Sequence, residues 1–150
     1  MKIIIDAMGG DNAPDEIVRG ALAAQKELGV SLVLVGQREP VLRCLKENGA
    51  QPGEGLELVE ADEVVTMEDD PSTAVRRKRN SSMSVALHLL RDGGGDAVVS
   101  AGSTGALLSG ATLVVKRVRG IRRAALAPVL PNRPGTGVVL IDCGANVECT

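Results

Sequence analysis

No phenylalanine, tyrosine or tryptophan occurs anywhere in this chain of 150 residues. Without an aromatic ring it offers no platform for stacking a base, so sequence-selective binding of single-stranded nucleic acid is not expected. Histidine is almost absent too. His88 is the single example, and it sits inside "SVALHLLRD", a helical pattern in which a structural role is expected. The three cysteines, Cys44, Cys143 and Cys149, are too scattered for a disulfide framework or a paired metal-ligand motif, and they suit a reducing cytosol. Cys143 has no histidine near it in sequence, which argues against a nucleophilic thiol. No apolar run reaches the ~18 residues of a membrane-spanning helix, and "MKIIIDAMGG" breaks at Asp6 too early for a secretory signal. An excess of one charge is also missing. Lys+Arg total 17 against 19 Asp+Glu, which excludes a generally basic nucleic-acid binder, although "RRKRN" at 76–80 is locally basic.

The hydrophobic share of 44% and charged share of 24% are those of a globular protein of one domain. Core volume must come from Leu, Val, Ile, Ala and Met. Short β-branched runs alternate with longer helical patterns. Strands are predicted over residues 2–6, 31–36, 56–61 and 97–100, with two more in "AALAPVL" and "GVVLID" on either side of the turn "PNRPGTG". Helices are predicted over 14–28, 39–48, from about 72, from about 81 to 92, and over 104–118. Asn12 is the expected N-cap of the first helix and Gly29 its stop. The alternation predicts an α/β fold with a mostly parallel sheet covered on both faces. The chain ends soon after its last strand, where a covering helix would be expected, so it reads as the first part of a larger α/β protein.

In such sheets ligands bind beyond the carboxyl ends of the strands, and polar clusters stand at such ends. "SAGSTGA" places Ser100, Gly102, Ser103, Thr104 and Gly105 at a predicted helix start. Free N–H groups and the helix dipole there can cradle an anion, or the cluster is an ordinary capping turn. "DAMGGDN" puts Asp6 at a strand end, followed by Gly9, Gly10, Asp11 and Asn12. Its spacing is not the GxGxxG fingerprint, and Gly36 stands where the second strand would need an acidic residue, so a nicotinamide cofactor is not expected. Arg76 and Arg79, three apart, are expected on one helical face, where they could clamp a phosphate, meet an acidic partner or simply face solvent. In "DCGAN", Asp142, Gly144 and Asn146 either orient a ligand or hold a turn.

"DAMGGD", "AVRRKRNSSM", "SAGSTGALL" and "IDCGANV", in this order and spacing, resemble the bacterial phosphate acyltransferases of phospholipid synthesis over essentially the whole chain. "ADEVVTMEDDPSTAVRRK" and "GIRRAALAPVLP" extend the resemblance. It implies an enzyme that converts acyl-[acyl-carrier-protein] and inorganic phosphate into acyl phosphate and free carrier protein. It also implies a three-layer α/β/α sandwich akin to the isocitrate and isopropylmalate dehydrogenases, with these residues forming its N-terminal part. A cytoplasmic homodimer is implied, without metal or cofactor, in peripheral contact with the membrane and a membrane glycerol-3-phosphate acyltransferase. Where the family pattern has Asn, this chain has Ser103, and family residues of the second half have no counterpart here.

On this reading Gly102, Ser103, Thr104 and Gly105 donate to phosphate and Asp6, Asn12 and Asn146 shape the same crevice. Gly9, Gly10, Asp11, Ser100, Asp142 and Gly144 complete its walls, and Arg76 and Arg79 add positive charge to the site or to the carrier protein. The corners after strands one, four and six are expected to converge at one sheet edge. A relative using coenzyme A, like phosphotransacetylase, and a non-catalytic dimerisation or carrier-binding module are the alternatives.

Overall fold

A computed structural model describes residues 1–133 and 135–146, so Cys149 lies outside the described residues. The chain forms two compact units, residues 1–115 and 116–150.

The first unit is built on four parallel strands, β1 (Lys2–Asp6), β2 (Ser31–Gly36), β3 (Leu56–Glu60) and β4 (Ala97–Val99), in the order β3-β2-β1-β4. β1 and β2 are apolar on both faces because both faces are covered. Successive side chains of a strand point to opposite sides. Ile5, Leu32 and Leu34 therefore pack with Val18 and Ala21 of α1 (Asp15–Leu28) and with Val41, Cys44 and Leu45 of α2 (Arg38–Glu47). Ile4, Val33 and Val35 turn the other way, onto Ala86 of α4 (Ser82–Arg91). α3 (Ala74–Arg77) and α5 (Thr104–Val114) close over α4 through Val75, Met83, Leu87 and Ala106. Each large aliphatic side chain buried this way contributes about 1.5–3 kcal/mol, and Ile4, Leu34, Val35 and Leu45 are fully buried.

Local chemistry sets the helix ends. α1 has Asp15 and Glu16 in its first turn and Lys26 in its last, matched to the helix dipole. It stops at Gly29, whose left-handed φ of 64° lets its N–H reach the Gln25 carbonyl at 2.9 Å. Its N-cap is Pro14, not Asn12, and no side chain caps it. Asn12 contributes only its main-chain carbonyl, which accepts from the Glu16 N–H at 3.1 Å. α5 ends four residues before the expected 118, and Lys116 just beyond it has a φ of 72° that no helix accommodates.

From β1 at the centre, the chain steps outward to β2 and β3, then crosses back through α3 and α4 to lay β4 on the other side of β1. The direction of winding thus reverses between β1 and β4, and the crevice at such a reversal is where open α/β sheets bind ligands.

The second unit holds β5 (Val129–Leu130) and β6 (Val138–Val139), which pair with each other, antiparallel. Both strands exist as expected, but they do not extend the parallel sheet. Residues 131–137 between them are too few for the crossover of about a dozen that parallel neighbours need. The Asn132 side-chain carbonyl closes the turn by accepting from the N–H groups of Thr136 at 2.9 Å and Gly137 at 3.1 Å. Among the described residues, no helix is long and apolar enough to cross a membrane.

Candidate active site

The corners that follow β1 and β4 meet at the reversal point. Asp6 ends β1 with its carboxylate almost completely buried. Its Oδ2 accepts from the Ser100 hydroxyl at 2.7 Å, and its Oδ1 accepts from the Met8 N–H at 3.3 Å. Ser100 in turn accepts from the Gly102 N–H at 3.2 Å. The relay Asp6–Ser100–Gly102 therefore ties the first corner to the backbone that opens α5.

Two glycines make this approach possible. A Cβ on Gly9 would lie 2.5 Å from Asp6 Oδ2 and 2.8 Å from Ser100 Oγ. Gly10 has a φ of +124°, a conformation closed to side-chain-bearing residues.

Ser103 caps α5, its Oγ accepting from the Ala106 N–H at 3.3 Å. The N–H groups of Ser103, Thr104 and Gly105 have no hydrogen-bond partner among the described residues. They carry the positive end of the helix dipole, an end that favours an anion; Ser103 itself is buried and Thr104 is exposed. The Ser103 oxygen, expected to serve phosphate, is engaged in capping. Gly105 has a packing duty: a Cβ there would come within 2.9 Å of Pro71.

A cavity of about 200 Å³ adjoins this corner, lined by Met8, Gly10, Asp11, Gly102 and Ser103 on one side and by Val64–Glu68 on the other. Its wall carries the carboxylates of Asp11 and Glu68 but no Lys or Arg among the described residues. Hydrogen bonding from the Thr66 side chain, then from backbone, holds the Glu68 carboxyl below its usual range. On the α5 side the lining ends at Ser103, so Thr104 and Gly105 are not part of it, and its charged side chains are negative.

The wall segment 64–69 is clamped by Lys78, whose ammonium donates to the Val64 carbonyl at 2.9 Å and to Asp69 Oδ2 at 2.5 Å. Asp69 also accepts from the Thr66 N–H at 2.7 Å, and the Lys78 bond holds its carboxyl below the ordinary range. Lys78 was invisible as a site residue, submerged in a run of arginines. Arg76 and Arg79 do not share a helical face: α3 lasts only from Ala74 to Arg77, so Arg79 lies in the turn beyond it. Both are exposed and neither lines the cavity. Asp11 and Asn12 are exposed as well, with Asp11 on the cavity wall and Asn12 outside it.

Asp142, Gly144 and Asn146 belong to the second unit. There the Asp142 carboxylate accepts from the Leu126 N–H at 2.9 Å, the Asn146 N–H at 2.7 Å and the Asn146 side-chain amide at 2.8 Å. Asn146 Nδ2 also donates to the Ala124 carbonyl at 2.8 Å. Burial alone would raise the Asp142 carboxyl, but these bonds, the Asn146 side chain foremost, hold it below the usual carboxylate range. The pair stitches a turn to residues 124–126, the structural alternative of the two. Of the strand-end corners expected to converge, those after β1 and β4 meet within the first unit, while the one after β6 belongs to the second.

His88 and Cys44 are engaged in structure. His88 Nδ1 is 2.8 Å from the Ser84 carbonyl one turn earlier. Asp15, Cys44 and Glu47 bring potential ligand atoms within 4.8 Å of one another. However, burial and then the Asp15 bond push the Cys44 thiol up, and its Sγ already donates to Asp15 Oδ1 at 3.1 Å. That favours a protonated, packed thiol over a metal ligand.

One long segment carries charge of a single sign. Between Asp96 and Asp142 there is no acidic residue, whereas Lys116, Arg117, Arg119, Arg122, Arg123 and Arg133 all fall there.

The family described as fatty acid synthesis protein matches residues 1–150. The phosphate acyltransferase of Desulforamulus reducens is 48% identical over 149 residues, 99% of this chain and 44% of that protein. That of Pelotomaculum thermopropionicum is 50% identical, covering 99% of this chain and 43% of its own length. For Clostridium kluyveri the identity is 44%. The chain spans less than half the length of these curated relatives.

Proposed function

The chain belongs to the fatty acid synthesis protein family, and from that premise we propose that its residues form the phosphate-holding half of an acyl-[acyl-carrier-protein]:phosphate acyltransferase. In the reaction, a phosphate oxygen bonds to the thioester carbonyl carbon and the carbon–sulfur bond breaks. Acyl phosphate and the carrier thiol are the products. A thiol with a pKa of about 8.5 leaves readily. Inorganic phosphate is already anionic at neutral pH, a mixture of its mono- and dianion, so the nucleophile carries its charge without a general base. The protein's task is then to hold an anion against a carbonyl and stabilise the oxyanion that develops. Neither an imidazole nor a thiolate is required of this chain.

The observation that carries the proposal is the set of unpaired N–H groups at Ser103, Thr104 and Gly105, fixed by the Asp6–Ser100–Gly102 relay at the winding reversal. The names of the relatives support the same reaction class. The acid-free, cation-rich stretch from 97 to 141 suits an anionic acyl donor such as an acidic acyl-carrier protein. A homodimer, a dehydrogenase-like architecture for the complete protein and peripheral membrane contact belong to the same proposal.

The test is Thr104→Pro in the full-length protein. Proline suits the first helical position and removes one open donor, and the extended ψ of 111° at Ser103 accepts a following proline. Formation of hydroxylamine-trappable acyl phosphate should show a KM for phosphate raised about tenfold, as for loss of one hydrogen bond to a charged group, with the KM for acyl-carrier protein unchanged. An unchanged phosphate dependence would remove this helix end from the mechanism.

A further inference from the structure

The cavity beside the start of α5 is lined by two kinds of side chain. Its charged groups, Asp11 and Glu68, are both carboxylates. Its large side chains, Met8, Val65 and Met67, are aliphatic, and Ala101 adds a methyl. Such a lining disfavours an anion and suits a neutral, apolar chain. Met8 is half-buried on one wall, and Met67 stands on the other with 71% of its surface exposed. Methionine is unbranched and flexible, so two of them on facing walls adapt to chains of varied shape. The wall of Val65 and Met67 is itself fixed, because Lys78 binds the Val64 carbonyl and Asp69 on either side of it.

Gly102 and Ser103 line the cavity, and the Ser103 N–H is the first of the unpaired amides at the start of α5. A thioester carbonyl facing phosphate at those amides therefore has the cavity directly beside it. Two chains extend from a thioester, the acyl tail and the pantetheine arm. The arm carries amides that need hydrogen-bond partners, and it ends on a phosphate that Asp11 and Glu68 would repel. The acyl tail has neither. The cavity of about 200 Å³ fits about six to eight carbons, since one of about 150 Å³ holds a benzene ring.

We propose that this cavity is the acyl subsite, seating about the first six to eight carbons of a fatty acyl chain between Met8 and the wall of Val65 and Met67. Its assignment rests on the acyl transfer reaction proposed above.

Photolabelling of the full-length protein tests it. The probe is an eight-carbon acyl chain bearing a diazirine, presented on acyl-carrier protein in one arm and on coenzyme A in the other. Adducts should map to residues 64–68, Met8 or Ala101. Plain acyl donors of increasing length should suppress them, with affinity rising about two- to fourfold per methylene and levelling off beyond about eight carbons, when the cavity is full. Ala101→Leu adds an isopropyl group to the lining and should bring that plateau down by about three carbons. Should it not fold, Met67→Trp is judged by the same lowered plateau. Adducts elsewhere, no adducts from either carrier, an affinity indifferent to chain length, or a plateau unmoved in the variant overturns the proposal. Labelling needs binding and no turnover. Adducts in this cavity without acyl phosphate formation would overturn the reaction and keep the subsite, whereas acyl phosphate formed with adducts elsewhere would do the opposite.

Discussion

The Ser100 hydroxyl donates to the Asp6 carboxylate at 2.7 Å across 94 positions of sequence. This bond joins the ends of two neighbouring parallel strands, and it does so with a carboxylate that is only 1% exposed. A buried charge must be hydrogen-bonded to be tolerated. Ser100→Ala removes one of its donors and also frees the Gly102 N–H. It should therefore cost about 1–3 kcal/mol, read as a lower urea midpoint with an unchanged slope. Ser100→Thr, which keeps the hydroxyl, should recover most of that loss. A neutral Ser100→Ala would mean that the relay does not hold the corner.

Gly9→Ala probes the same corner from the side of close approach. The added methyl would sit 2.5 Å from Asp6 Oδ2 and 3.0 Å from the Gly102 nitrogen, and neither is the free end of a flexible chain. Overpacking of this kind costs about 1–3 kcal/mol. In the full-length protein it should also raise the KM for phosphate, because Gly102 leads directly into the amides of α5. Wild-type stability together with wild-type phosphate KM would contradict the packing described here.

Lys78 gives a separable prediction. Lys78→Met keeps much of the aliphatic stem but loses the bonds to the Val64 carbonyl and Asp69. The wall of the cavity over residues 64–69 should loosen while the sheet remains intact. Hydrogen exchange of the Thr66 and Asp69 amides should accelerate, with amides of β1 and β2 unchanged. Uniform acceleration throughout the first unit would instead make Lys78 a general stabiliser.

The sheet was legible because its strands are continuous apolar runs bounded by polar residues. β1 and β2 occupy residues 2–6 and 31–36 as expected, and α1 ends where Gly29 stops it. What escaped sequence reading depends on contacts between distant segments or on short elements. The Asp6–Ser100 bond requires knowing that β4 lies beside β1. Arg76 and Arg79 were expected on one helical face because their spacing fits a helix, but α3 ends after four residues. Lys78 has no local signature at all, since its role is to reach back to Val64. β5 and β6 have strand composition, yet their short connection pairs them with each other.

The response to acid follows from the depressed carboxyls. Asp69 is held low by Lys78 and Asp142 by Asn146 with the surrounding N–H groups, against the opposing effect of burial. A carboxyl with a folded pKa below its unfolded value of about 3.9 contributes its full stabilisation above that value. The contribution is lost as pH falls through the lower, folded value. Stability measured by urea titration should therefore be nearly flat from pH 7 to 5 as far as these groups are concerned, and should begin to fall below about pH 4. Asp142→Asn should lower stability at pH 7 and flatten the acid limb, because the amide cannot accept from Leu126 and Asn146 as the carboxylate does. A variant that keeps the wild-type acid limb would show that the turn at 142–146 is held by something other than this carboxylate.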